Sequence, residues 1–136
     1  MSPSDAAAAE RERDAFQYAI WRVVPSVERG EALNVGVVVF CRRRSFLKAR
    51  TLLDAERLRA LSPALDVDAL SRHLDGMVRV AAGDPAGGAV ARLDQSERFG
   101  WLTAASSTIV QPSPIHTGLC DEPEAVLDRL FERLVA

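Results

Sequence analysis

The run Leu-Asn-Val-Gly-Val-Val-Val-Phe-Cys, from Leu33 to Cys41, constrains the fold of this chain more than any other segment. β-Branched side chains lose rotamer freedom in a helix and pack well on a pleated surface, so this run reads as a strand. Valines 35, 37, 38 and 39 populate both of its faces, which suits a central strand covered on each side and not a half-exposed edge. Gly36 lies inside it, and a glycine there marks a bulge or the close approach of another backbone.

The flanking segments supply its neighbours. Phe16 to Val24 is aromatic and β-branched, and Pro25 ends it because proline cannot donate to a ladder. Ser26 to Ala32 is a polar connection with Gly30 at its turn, and Arg42, Arg43 and Arg44 form a tight basic turn into a third strand, Ser45 to Thr51. Strands this close in sequence pair antiparallel, because a parallel return needs a long crossover, and a three-stranded meander results.

Helices follow. Asp54 can cap a short helix ended by Ser62 and Pro63. Asp66 or Asp68 can cap a second whose Leu70, Leu74, Met77, Val78 and Ala81 make one apolar stripe. Gly83 to Gly88 is the clearest loop. Asp94 and Glu97 have capping-box spacing before Phe99, Trp101 and Leu102, and Asp121 with Glu124 repeat it before Val126, Leu127, Leu130, Phe131 and Leu134. Between these helices, Thr108 to Val110 reads as a short fourth strand. Gln111 to Gly118 runs extended, because each proline steers its predecessor away from helix. The fold class is therefore α+β, a small antiparallel sheet of three meander strands and one short later strand covered by three to four helices. Residues 1–14 read either as a short helix capped at Ser4 or Asp5 or as a flexible tail, and 15–136 as one domain.

Composition narrows the function classes. Of the 136 residues, 48% are hydrophobic and 26% charged, an ordinary globular balance that excludes a disordered chain. A net charge of −2 gives no whole-protein field to drive binding to nucleic acid or anionic lipid. Without a ~20-residue apolar run, or a basic leader before an apolar stretch, a cytoplasmic protein is expected. GxGxxG, Walker-type GKS or GKT and HExxH motifs are absent, which argues against dinucleotide, P-loop and zincin chemistry. Cys41 and Cys120 lack CxxC spacing and clustered histidines, so neither a metal nor a cofactor is expected. They read as free buried thiols, and a pairing between them stays open.

Three constellations can carry function. Arg22, Glu28, Arg29, Glu31 and Asn34 flank the first hairpin, where Arg22 either snorkels to the rim or pairs with a carboxylate such as Glu31. Ser106, Ser107, Thr108, Ser113 and Thr117 gather hydroxyls around His116, whose near-neutral pKa suits a general acid or base. Glu31 and His116 are the two weak catalytic candidates. Ser113 has no nucleophile-elbow glycines, and the segment is no triad signature. Arg42, Arg43, Arg44, Lys48 and Arg50 form a basic run that can hold phosphates or protect a sheet edge from aggregation.

Three blocks also carry a family resemblance: Tyr18 through Pro25, Arg29-Gly30-Glu31 with Asn34 through Val37, and Gln111 through Pro114 with His116-Thr117-Gly118. On them the chain resembles a bacterial family designated domain of unknown function 3037, over about Phe16 to Val135. The resemblance brings no established reaction, cofactor or catalytic residue, and it implies an accessory role beside a HipA-like kinase.

The leading expectation is a non-catalytic interaction module whose surface is the rim of Arg22, Glu31, Asn34 and the His116 loop. One alternative is a small enzyme for a phosphate-bearing or nucleotide substrate, with Arg22 or Arg29 on the anion and His116 moving the proton. The other is nucleic-acid binding through Arg42 to Arg50.

Overall fold

The first strand, β1, spans Asp14–Val23 and is the pivot of the molecule, since every strand except one pairs directly with it. The structure is a computed structural model that describes residues 13–104 and 109–136. β1 pairs antiparallel with β2 (Leu33–Cys41), which pairs antiparallel with β3 (Phe46–Thr51). This is the expected meander, with β1 starting two residues before Phe16. A 3-10 turn at Arg42–Arg44 and Ser45 in the left-handed region (φ 49°) reverse the chain between β2 and β3.

Two short strands, β4 (Val110–Pro112) and β5 (His116–Cys120), line the other side of β1, where one was expected. β4 pairs with Trp21 to Val23 and β5 with Asp14 to Tyr18, both antiparallel. They form a single outer rung with a break at Ser113-Pro114-Ile115. Neither Pro112 nor Pro114 has an N–H, so the ladder cannot run through them. Ser113 repairs the gap: its N–H donates to the Ile20 carbonyl (2.8 Å), its hydroxyl oxygen accepts the Ile20 N–H (2.9 Å), and its O–H donates to the Pro114 carbonyl (2.9 Å). Buried Ser113 is thus a structural side chain, which keeps β1 hydrogen-bonded across the break. Of the strand read at Thr108 to Val110, Thr108 lies outside the described residues, as do Ser106, Ser107 and the N-terminal helix with its caps at Ser4 or Asp5.

Gly36 serves both purposes foreseen for it. Trp21 pairs with Gly36 but Arg22 with Asn34, so Val35 is an extra residue and β2 bulges. A Cβ on Gly36 would sit 2.9 Å from the Trp21 ring and 3.0 Å from the Thr51 methyl. The bulge also reverses the alternation of β2. Val35 joins Val38 on one face, and Asn34 is re-aimed to the other, where its amide donates to the Leu134 carbonyl (2.9 Å).

Both faces of the sheet are roofed, as the valine pattern of β2 requires. On one lie α1 (Ala55–Leu61), α2 (Val67–Ala82) and α3 (Gln95–Thr103). Leu58, Leu70, Leu74, Phe99 and Leu102 pack there against Ala19, Trp21, Val38, Phe40 and Ala49. On the other, α4 (Pro123–Leu134) packs Val126, Leu127, Leu130 and Phe131 against Phe16, Val37 and Val39. Asp54, Asp66 and Asp94 each accept the backbone N–H three residues on, as their positions predict. The bond from the Glu97 N–H also holds the Asp94 carboxyl below its ordinary range. The Asp121–Glu124 capping pair does not form: Glu122 is the N-cap and makes no side-chain bond. Pro123 opens the helix instead, since its ring presets φ and its missing N–H needs no cap.

Candidate functional site

The three constellations meet different fates. Glu31 pairs with Arg29 at 2.7 Å, not with Arg22, and both line a cleft of about 130 Å³ with Pro25, Ser26, Leu61 and Ser62, beside the end of α1. Glu28 is exposed in the same hairpin. Among the described residues no carboxylate lies within ion-pair distance of Arg22. Its guanidinium leans over β4 and donates to the Pro112 carbonyl at 3.4 Å, the long limit of a hydrogen bond, while its buried Nε has no acceptor. Arg98, the other arginine with an unsatisfied Nε, differs: it donates to the Leu93 carbonyl at 2.7 Å and to that of Ala81, tying α3 to α2. Arg22 has no comparable structural employment.

His116 pairs with Tyr18 across β1 and β5, and their rings stack at 5.1 Å. Tyr18 and Arg22 are four residues apart on one strand and so share a face, about 13 Å apart at the rise of a strand. Arg22, Asn34, His116 and Tyr18 therefore form a row along the α4 side of the sheet, and Glu28, Arg29 and Glu31 are not in it. Thr117 is exposed on β5 and points to the other side, as do Ile115 and Leu119, which are 45% and 60% exposed. Among the described residues no helix covers this last pair. The alternation Ile115, Thr117, Leu119 is a strand signal, obscured in the sequence by the prolines just before it.

The basic run is largely neutralised. Arg44 pairs with Asp14 at 2.6 Å, and Arg43 reaches the same carboxylate at 4.0 Å. Lys48 pairs with Glu124 and Arg50 with Asp128, each at 2.7 Å, and the Arg50 guanidinium lies 4.1 Å above the Phe131 ring. The spacings match: two strand residues span about 6.6 Å and four helix residues about 6 Å, so alternate cations on β3 meet successive-turn acids on α4. Arg42 is left beside Asp94, in a cleft with Phe40, Gln95 and Ser96.

Cys41 and Cys120 are both buried and free. Burial, then the neighbouring Cys41, push the Cys120 thiol up to about 11. A raised folded-state pKa means that the unfolded chain ionises first. This contribution to stability is intact below about pH 9 and is lost as pH rises through about 11. Denaturation midpoints measured from pH 8 to 11 should fall more steeply for the wild type than for Cys120→Ala, and parallel slopes would contradict the assignment.

The described residues hold no cluster of three or more His, Cys, Asp or Glu suited to a metal, and no helix long and apolar enough to cross a membrane. A cavity of about 320 Å³ is almost wholly apolar, lined by Leu65, Ala69, Leu70, Ile109 and Val110 together with Asp66 and His73.

Fold and surface together define a small α+β domain whose five-stranded antiparallel sheet is roofed on both faces. Residues 18–135 match the family described as "Protein of unknown function (DUF3037)", and the chain belongs to it. No curated protein and no solved structure matches the chain.

Proposed function

We propose that this domain is a non-catalytic interaction module that receives a protein partner along its outer strand β5. One observation carries the reading: among the described residues no strand lies on the far side of β5, which displays Ile115 and Leu119 to solvent. An unpaired strand edge beside exposed apolar side chains is the template on which partner strands add. The enzyme reading needs an arginine and His116 on one phosphate, but Arg29 is held by Glu31 and Arg22 stands about 13 Å away along the strand. The nucleic-acid reading needs free cations, and Arg44, Lys48 and Arg50 are each paired to a carboxylate.

A HipA-like kinase, implied by the family resemblance, is the first partner to test. Tagged wild-type domain should retain it in co-purification, and Leu119→Lys or Thr117→Pro should lose it while Glu31→Ala keeps it. A partner retained equally by both edge variants would overturn the edge, and a kinase never enriched would remove that partner.

A further inference from the structure

We infer that a second copy of this chain docks on β5, edge to edge and antiparallel, with Thr117 on the two-fold axis. This rests on the reading of β5 as a docking edge and names an occupant for it. Along β1, the backbone groups of even-numbered residues face the outer rung: the Ser113 N–H donates to the Ile20 carbonyl (2.8 Å), and the Val24 N–H donates to the Ile109 carbonyl (2.7 Å). In the same alternation Phe16 and Tyr18 stand opposite Gly118 and His116. Gly118 and His116 therefore spend their backbone groups on β1, and those of Ile115, Thr117 and Leu119 point away from it. All three side chains are exposed, with no strand beyond them among the described residues.

The pattern is its own complement. Ile115 and Leu119 lie two residues either side of Thr117, so a second β5 running the other way sets Ile115 against Leu119 of that copy, at both ends, and Thr117 against Thr117. Each of these pairs exchanges two N–H···O bonds, which satisfies the outward backbone groups of all three residues. A shift of two residues either way puts Ile115 opposite Asp121 or Leu119 opposite Ser113, and the apolar pairs are lost. Charge does not oppose the contact, because Gln111 to Cys120 contains no Asp, Glu, Lys or Arg. Lysine or proline commonly guards an exposed edge, and β5 has neither. Pairing joins the two five-stranded sheets into one. A five-residue strand is a small contact beside the roughly 1,200–2,000 Å² of stable interfaces, so this dimer is weak and gives way to a tighter partner strand.

Sedimentation velocity of the full chain from about 1 µM to about 1 mM tests this. The mean mass of the wild type should climb with concentration toward that of a dimer, while Leu119→Lys and Thr117→Pro, shown to be folded by circular dichroism, should stay monomeric. Proline at 117 removes an outward donor and none that bonds to β1, so the sheet keeps its own ladder. Single cysteines read the register. A short bis-maleimide should join Thr117→Cys to itself, and Ile115→Cys to Leu119→Cys in a mixture, but not Ile115→Cys to itself, whose copies lie about 14 Å apart. Wild type is the blank, since Cys41 and Cys120 are buried. A wild type that stays monomeric throughout would overturn self-pairing, and loss of the kinase from Leu119→Lys would still uphold the docking edge. Association that both edge variants leave unchanged would overturn β5 as the contact, and Ile115→Cys joined to itself in place of Thr117→Cys would overturn the register.

Discussion

Trp21→Ala lowers the stability of the fold by roughly 3–5 kcal/mol, a shift of about 2 M in the urea midpoint. Trp21 is fully buried at the centre of the larger core cluster, among residues of β1, β2 and the three helices on that face. Truncation removes its transfer free energy and leaves a cavity that a sheet held by ladders on both sides of β1 cannot collapse to fill. It also removes the indole N–H that donates to the Leu102 carbonyl at 3.1 Å, in the last turn of α3. That bond fixes α3 to the sheet and satisfies one of the carbonyls a helix leaves unpaired at its end. Trp21→Phe keeps most of the ring and loses the donor, so it falls between wild type and alanine. A loss below about 1 kcal/mol for Trp21→Ala would show that the ring does not support the core as described.

Gly36→Val is the second large effect, a loss of roughly 2–3 kcal/mol from overpacking. Its Cβ would meet Trp21 at 2.9 Å, the Thr51 methyl at 3.0 Å and the Arg50 carbonyl oxygen at 3.2 Å. Those neighbours lie on both flanks of β2, so the strand cannot slide from one without striking the other, and the Arg50 oxygen is backbone. Gly118 makes the instructive contrast. A Cβ there would come closer still, 2.7 Å from the Phe16 ring, but β5 is an outer strand that can shift and the obstacle is a side chain. Gly118→Ala should therefore cost less than Gly36→Ala despite the shorter contact. Gly76→Ala, whose Cβ enters open space, controls for the glycine change itself. Midpoints in the reverse order for Gly36→Ala and Gly118→Ala would refute the argument from strand position.

What could be read in the sequence was local. The valines of β2, the aspartates that cap α1, α2 and α3, and the i, i+4 stripe of α4 are each specified within a few residues, and each stands where its pattern placed it. Gly36 was legible as a feature, though not in its consequence, because only the partner strand shows that Val35 is the surplus residue and that Asn34 turns to the last helix. Other choices depended on long-range geometry. Glu31 had two arginines within reach in sequence, and the hairpin brought it Arg29. Asp121 and Glu124 had capping spacing, but Pro123 starts the helix between them and Glu124 turns to Lys48, 76 residues away. The Gln111 to Gly118 segment was read as extended, yet its division into two rungs bridged by Ser113 depends on which amides of β1 needed acceptors.

The outer rung arrives late in the chain. β1 emerges early in synthesis and meets β2 almost at once, whereas Ser113 lies 93 residues beyond Ile20, its partner across the break. During vectorial translation the nascent meander thus carries a bare flank on β1 until the rung has left the ribosome. Such non-local closure slows folding and leaves a flank open to misassociation. The three aspartate-capped helices in between can gather over the other core in the meantime, so that the last segment closes onto a sheet already half roofed.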